Sequence, residues 1–307
     1  MRLLWSIIWV VVMVCGTASP SCCQINAAAD PYHDNELRPY FDQVFGWSER
    51  APVTLRGEWI ADADSGLSRH EAAIKFPILK FFGTPPPIVR TGFNHTNLAA
   101  GSLFDLPEDF FEYSIGISRV KRWNDRWLFR SDIGVAYATD NENRSSDSWQ
   151  FRGSAFGIYQ CNSEWQFSLG AIALGRRDLP VIPAIGAVWT PNASARVDLI
   201  PPIPTANFLL SDDGIRQRWF FAGFGFSGST WGYESTTFGD DVLTYRDLRL
   251  VCGWRSTPKP PPGIPFARGR KNRIEFGYAF SRELEFDNEN ANVDLGDSFL
   301  FRIGTEY

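Results

Sequence analysis

The chain has 307 residues and a formal net charge of −5, and 15% of it is aromatic, including 12 Trp and 25 Phe. An acidic balance argues against nucleic acid as a partner, and the length fits one large domain or two smaller ones without deciding between them. Mean hydropathy is −0.20. That value suits a soluble chain, but a transmembrane barrel gives it too, because lipid-facing and lumen-facing residues alternate and cancel.

At the N-terminal end, Met1-Arg2 precedes an apolar run from Leu3 to Cys15 and then small residues, the layout of a cleaved secretory signal peptide. The run is short of the roughly 20 residues a spanning helix needs. Cleavage fits after Ala18 or after Ala29, and the second gives a signal peptide over 1–29 and an exported mature chain. Because Arg2 is the one charged residue of that segment, the mature chain carries −6. The residues before Cys22 (Ser-Pro-Ser) and Cys15 (Val-Met-Val) argue against a lipid-attachment site, since neither supplies the small residues such a signal uses. Beyond the signal, Cys161 and Cys252 remain; an oxidising compartment permits a disulfide between them, and their spacing gives no geometric reason for one.

Residues 30–50 show no period and read as an irregular lead-in to a barrel domain over 51–307. From Val53 the chain becomes strand-like segments of about ten residues, near 53–61, 69–79, 87–97, 109–120, 126–138, 148–160, 164–175, 181–190, 194–210, 216–226, 242–254, 271–284 and 298–307. Alternation is cleanest in four. Phe111, Tyr113, Ile115 and Ile117 oppose Glu112, Ser114, Gly116 and Ser118, while Trp127, Phe129, Ile133 and Val135 oppose Arg130, Asp132, Gly134 and Ala136. Trp165, Phe167 and Leu169 oppose Gln166, Ser168 and Gly170, while Ile274, Phe276, Tyr278 and Phe280 oppose Arg273, Glu275, Gly277 and Ala279. The polar face is rich in small residues, which suits a crowded barrel interior better than a solvated sheet face.

Short turns at Asn124-Asp125, Asn162-Ser163, Pro191–Ser194 and Asp212–Gly214 use residues that tolerate positive φ. They alternate with longer polar loops at Thr139–Asp147, Ser227–Asp241 and Phe286–Asp297, as the two ends of an outer-membrane barrel require. Thirteen segments is an odd number. Ile200-Pro-Pro-Ile-Pro204 interrupts the segment 194–210, because proline cannot donate to a ladder, and splitting there gives 14 strands. Merging or discarding a pair gives 12. The fold predicted is therefore an all-β, single antiparallel transmembrane barrel of 12–14 strands, with 14 preferred.

The segment Pro183–Pro204, with Trp189-Thr-Pro191, then Arg196-x-Asp198-Leu-Ile, then Pro202-x-Pro204, resembles a family of uncharacterised outer-membrane β-barrel proteins of planctomycetes and other diderm bacteria. The resemblance extends over residues 50–307. It implies a barrel and an outer-membrane address and assigns no catalytic or binding residue.

The last ten residues alternate Phe299, Phe301, Ile303, Thr305 and Tyr307 against Ser298, Arg302, Gly304 and Glu306. A terminal strand ending on an aromatic resembles the signal read by the barrel-assembly machinery, so Phe299, Phe301, Ile303 and Tyr307 are its candidate recognition face, with membrane lipid as their surroundings. Along the chain a base is repeatedly followed two places later by an acid: Arg56/Glu58, Arg69/Glu71, Arg130/Asp132, Arg196/Asp198 and Arg273/Glu275. That spacing puts both groups on one face of a strand, so these pairs are expected to line a lumen and to be largely neutral, giving weak selectivity for small solutes or ions.

Catalysis has little to draw on. His33, His70 and His95 are the three His, and a nucleophile–His–acid arrangement would have to use one of them; His95 is the best placed, without a recognisable serine. No clustered Cys/His suggests zinc, and no cofactor is implied. The acidic runs Asp140–Asn143 and Asp287–Asn290 lack calcium-loop spacing and read as solvated tips, and Pro258–Pro265 as a stiff connector. The function predicted is a non-enzymatic outer-membrane barrel, a narrow passive pore or structural envelope element. The competing reading is a secreted β-sandwich that binds surface polysaccharide through its aromatics.

Overall fold

The computed structural model describes residues 53–61, 65–77, 87–99, 106–175, 180–236, 239–259, 269–287 and 291–307. The expected signal peptide at 1–29, the lead-in at 30–50 and the Pro260–Pro262 run lie outside them. The described residues form no α-helix, and no helix is long and apolar enough to cross a membrane.

Fifteen strands follow one another: β1 (Val53–Ala61), β2 (Leu67–Pro77), β3 (Ile88–Leu98), β4 (Asp109–Arg122), β5 (Trp127–Thr139), β6 (Trp149–Gln160), β7 (Trp165–Ala173), β8 (Val181–Asn192), β9 (Ala195–Leu199), β10 (Thr205–Asp212), β11 (Arg216–Ser235), β12 (Gly239–Pro258), β13 (Lys271–Phe286), β14 (Ala291–Leu295) and β15 (Ser298–Glu306). β14 pairs with Arg282–Phe286 of β13 and β15 with Lys271–Ala279 of the same strand. The two are therefore pieces of one wall strand, interrupted at Gly296-Asp297, and the wall has 14 strands. β15 pairs back onto β1, from Thr54 opposite Glu306 to Ala61 opposite Phe299, so neither strand is left as an open edge. A closed ring of neighbouring antiparallel pairs excludes the two-sheet sandwich.

Local chemistry accounts for the turns at one end, called here the turn end. Asn124 Oδ1 accepts from the amides of Arg126 and Trp127 at 2.9 Å, and Asn162 Oδ1 from those of Glu164 and Trp165 at 2.9 and 2.8 Å. Asp213 Oδ1 does the same for Ile215 and Arg216 at 3.0 and 2.6 Å, and the Arg216 amide above all holds its carboxyl below the usual carboxylate range. The segment split at Ile200–Pro204 does become two strands, β9 and β10. Its prolines still accept: the amides of Phe226 and Phe224 donate to the carbonyls of Pro202 and Pro204 at 3.3 and 3.2 Å.

Two expected loops are strand instead. Ser227–Asp241 continues β11 and β12 as a hairpin 20 residues long in each arm, and Phe286–Asp297 contains β14. In the first, Trp231 and Tyr233 alternate with Thr230 and Gly232, and all four are buried. Small polar residues looked like a loop because neither side of the strand is solvated at Thr230–Tyr233. The hairpin reaches across the barrel, and Gly232 pairs in parallel with Thr139 of β5, six strands round the wall. The main apolar core forms there, inside the loop end, where Trp231, Leu243 and Tyr245 pack with Ile60, Leu98, Phe110, Ala138, Leu284 and Leu300 from the wall.

Candidate functional site

The polarity of the wall is inverted relative to a water-soluble protein. Large apolar side chains stand exposed on its outer face, Ile133 at 69% and Phe299 at 74% among them, while charges meet inside. Aromatic side chains gather on that outer face at two levels. At the turn end Trp127 lies 5.0 Å from Tyr159 and Trp165 lies 5.7 Å from Trp189; at the loop end Tyr137 lies 5.1 Å from Trp149 and Tyr278 lies 5.5 Å from Phe299. Trp127 and Tyr137 are ten residues apart on one strand, about 33 Å at a strand's rise. With a typical barrel tilt near 40°, that is roughly 25 Å of height, the thickness of an outer-membrane apolar band.

Inside, three layers succeed one another from the loop end. The first is the apolar core, clasped by the β5–β6 connection. Gln150 Nε2 donates to the Thr230 carbonyl at 2.6 Å, Asn143 Nδ2 to the Tyr233 carbonyl at 2.8 Å, and the Glu234 amide to Asp140 Oδ2 at 2.8 Å. Asp140 and Asn143 are buried. Asp140 and Asn143 thus latch the hairpin, while Asn141 and Glu142 between them are exposed, as expected of a solvated tip. Arg69 Nη2 adds a bond to Ser229 Oγ at 2.9 Å, and the Trp231 ring packs tilted against Phe110 at 4.9 Å.

The second layer is a buried ionic network. Arg249, 1% exposed, donates from Nη1 to Glu58 at 3.0 Å and from Nε to Asp247 at 2.7 Å. Arg302 donates from Nε to Glu58 at 2.7 Å and from Nη1 to Glu275 at 2.7 Å, and Arg273 also bonds Glu275. Tyr245 Oη donates to Asp247 at 2.8 Å. Since β1, β12, β13 and β15 all contribute, the network ties the hairpin-bearing strand to the strands that close the ring. Across the lumen Arg152 holds Glu112 by two bonds at 2.8 and 2.7 Å. Charges this deeply buried are tolerable only when paired.

In the third layer, toward the turn end, the charged side chains are half open to solvent; those of Arg56 and Arg130 are 49% and 57% exposed. Of the five base–acid pairs picked out by spacing, Arg130–Asp132 closes at 3.2 Å, Arg196–Asp198 at 2.8 Å, and Arg273–Glu275 also closes. The other two partner differently. The β1–β2 register sets Arg56 opposite Glu71 and Glu58 opposite Arg69, so Arg56 bonds Glu71 at 3.0 Å. Glu58 goes to Arg249 and Arg302, and Arg69 to Thr96 and Ser229. Arg249, Asp247, Arg302, Arg152 and Glu112 were missed by the spacing rule. Asp247-x-Arg249 is the same pair in reverse order and was legible, whereas the others find partners only across strands.

His95, the best histidine for chemistry, stands in the outer aromatic row 5.1 Å from Phe111 and 6.2 Å from His70, with Nε2 2.8 Å from Asp109 Oδ1. Cys252 is an exposed free thiol, so the disulfide with Cys161 is not formed.

No protein-family model matches the sequence, and no curated protein does. Among solved structures, the chain is similar to the NanC porin (9% identity, TM-score 0.37, covering 83% of this chain and 98% of that one). It is similar to the KdgM porin over the same shares at 9% identity and a TM-score of 0.33. An outer-membrane channel from Pseudomonas putida F1 matches at 7% identity and 0.36, over 84% and 95%. These likenesses assign no residue and no solute to this chain.

Proposed function

We propose that this chain is a non-enzymatic outer-membrane β-barrel, open to water from the turn end and stoppered at the loop end by its own β11–β12 hairpin, so that it is a passive pore in a closed state. One observation carries the reading: apolar side chains and two aromatic levels lie outside, while ionic pairs and a plug lie inside. In this reading the side chains of Arg56, Arg69, Glu71, Arg130, Asp132, Arg196, Asp198, Arg273 and Glu275, with buried Glu58, line the path. Phe299, Phe301, Ile303 and Tyr307 form the face read during assembly. Lipid is the partner of the outer surface, and small solutes or ions are the cargo.

The test is excision of the stopper. Gly228 and Arg246 face each other in the hairpin register, so residues 229–245 can be replaced by an Asn-Gly type I′ turn. In planar bilayers the intact chain is expected to show little steady conductance and the excised chain a stable open level. Equal conductance from both would refute the stopper. Recovery of the intact chain in a soluble fraction without detergent would refute the membrane reading itself.

A further inference from the structure

Arg255 and Arg273 face each other directly in the β12–β13 register, on the inner face. Like charges in that position repel, and neither residue is fully compensated. Arg255 has no carboxylate within salt-bridge distance among the described residues; its Nη2 donates to Asn207 Oδ1 at 3.2 Å, and its Nε is buried without a partner. Arg273 bonds Glu275 and lies over the Phe221 ring at 4.2 Å, and its Nε too is buried and unpartnered. The same ladder row continues from Arg273 to Gly304 of β15 and on to Arg56 of β1. Gly304 leaves a side-chain gap in the row, flanked by Arg56, whose Cγ and Nε would lie 3.7 and 3.9 Å from a Cβ placed there.

We propose that this gap, walled by Arg273 and Arg56 with Arg255 behind, is a binding site for the oxyanion group of a small solute, a carboxylate or a phosphate. Guanidinium groups bind such planar or tetrahedral oxyanions through paired, charge-assisted hydrogen bonds. An anion seated at Gly304 lies one strand from Arg273 and two from Arg255, where its charge relieves the Arg255–Arg273 repulsion. The half-exposed Arg56 side chain marks the approach from water. Nearby acids are already engaged: Asp198 by Arg196 and Asn207, Glu71 by Arg56 and Arg90, and Glu275 by Arg273 and Arg302. The site rests on the reading of a lumen reached from the turn end, but it does not require conduction.

The test is calorimetric titration of the purified full-length chain in detergent with sodium phosphate and, separately, sodium gluconate, at constant ionic strength without chloride. Saturable one-to-one binding is expected. Response to phosphate alone identifies a phosphate-bearing solute, and response to both identifies the wider oxyanion class. Arg255→Gln and Arg273→Gln should each weaken binding about tenfold or more, and Gly304→Val should weaken it with every charge retained. Lys121→Gln, on the outer face of β4 opposite Phe129, should leave it unchanged, and heat-modifiable gel mobility verifies that each variant is folded. Absence of saturable binding to either anion in the intact chain, or equal affinity in the intact chain and Gly304→Val, overturns the site. Failure here leaves the stoppered pore standing, because that is read from conductance.

Discussion

Ile133 stands almost midway along β5 between Trp127 and Tyr137 and points outward. In water, exchanging one exposed side chain for another usually alters stability by less than about 0.5 kcal/mol. At the midplane of a bilayer an arginine costs about 2–4 kcal/mol. Ile133→Arg therefore separates the two surroundings, and urea unfolding in lipid vesicles should show the larger penalty. An unaltered midpoint would mean that this face does not meet lipid. Inside the wall the governing effect is pairing. Arg249→Met removes the arginine that Glu58 and Asp247 share in a buried site, and breaking such a pair from one side costs about 3–5 kcal/mol, readable by the same unfolding assay. The double change Arg249→Met with Asp247→Leu should recover part of that loss, since Glu58 keeps Arg302.

At the scale of elements, the β11–β12 hairpin decides how the barrel behaves. Its register against β5 depends on Gly232, where a Cβ would come within 2.4 Å of Ser148 Oγ and 3.2 Å of the Ser148 amide nitrogen. Gly232→Val should therefore lift the tip from its latch without touching the wall. The expected result is flickering or raised conductance with unchanged heat-modifiable mobility, and a silent channel would show that the tip holds by other contacts. Strand bounds on the wall were largely legible, because there one face meets apolar surroundings and the period of two is clean; β1 and the break at Ile200–Pro204 fall where alternation and proline chemistry place them. The hairpin was not legible. Ser227–Asp241 carries small polar residues on one side and Trp231 and Tyr233 on the other, a pattern that sequence cannot tell from a loop when both sides are buried by the far wall. The ionic network was half legible for a related reason: a spacing of two finds partners along a strand, while Arg249 and Arg302 find theirs across strands, by a register the sequence does not print.

For the molecule as a whole, closure of the ring and occupation of its interior have separate causes. Closure comes from β15 returning to β1, reinforced where the Tyr307 amide donates to the Val53 carbonyl at 2.9 Å and the Arg270 guanidinium lies 5.2 Å over the Tyr307 ring. Occupation comes from a hairpin longer than the wall needs. A 14-strand barrel lies between those filled by side chains and those of 16–18 strands that leave a water channel, so an added hairpin is enough to stopper it. With the hairpin excised, selectivity should follow the charge left on the inner face. The spacing-based pairs are neutral and predict weak selectivity, but Arg255 has no carboxylate partner among the described residues and faces Arg273 directly. The excised barrel is therefore expected to favour anions, with a reversal potential in a potassium chloride gradient displaced toward that of chloride. Arg255→Gln in the same background should move it back toward zero. Cation preference in the excised barrel, or an unmoved potential after Arg255→Gln, would show that ions pass along a different face of the lumen.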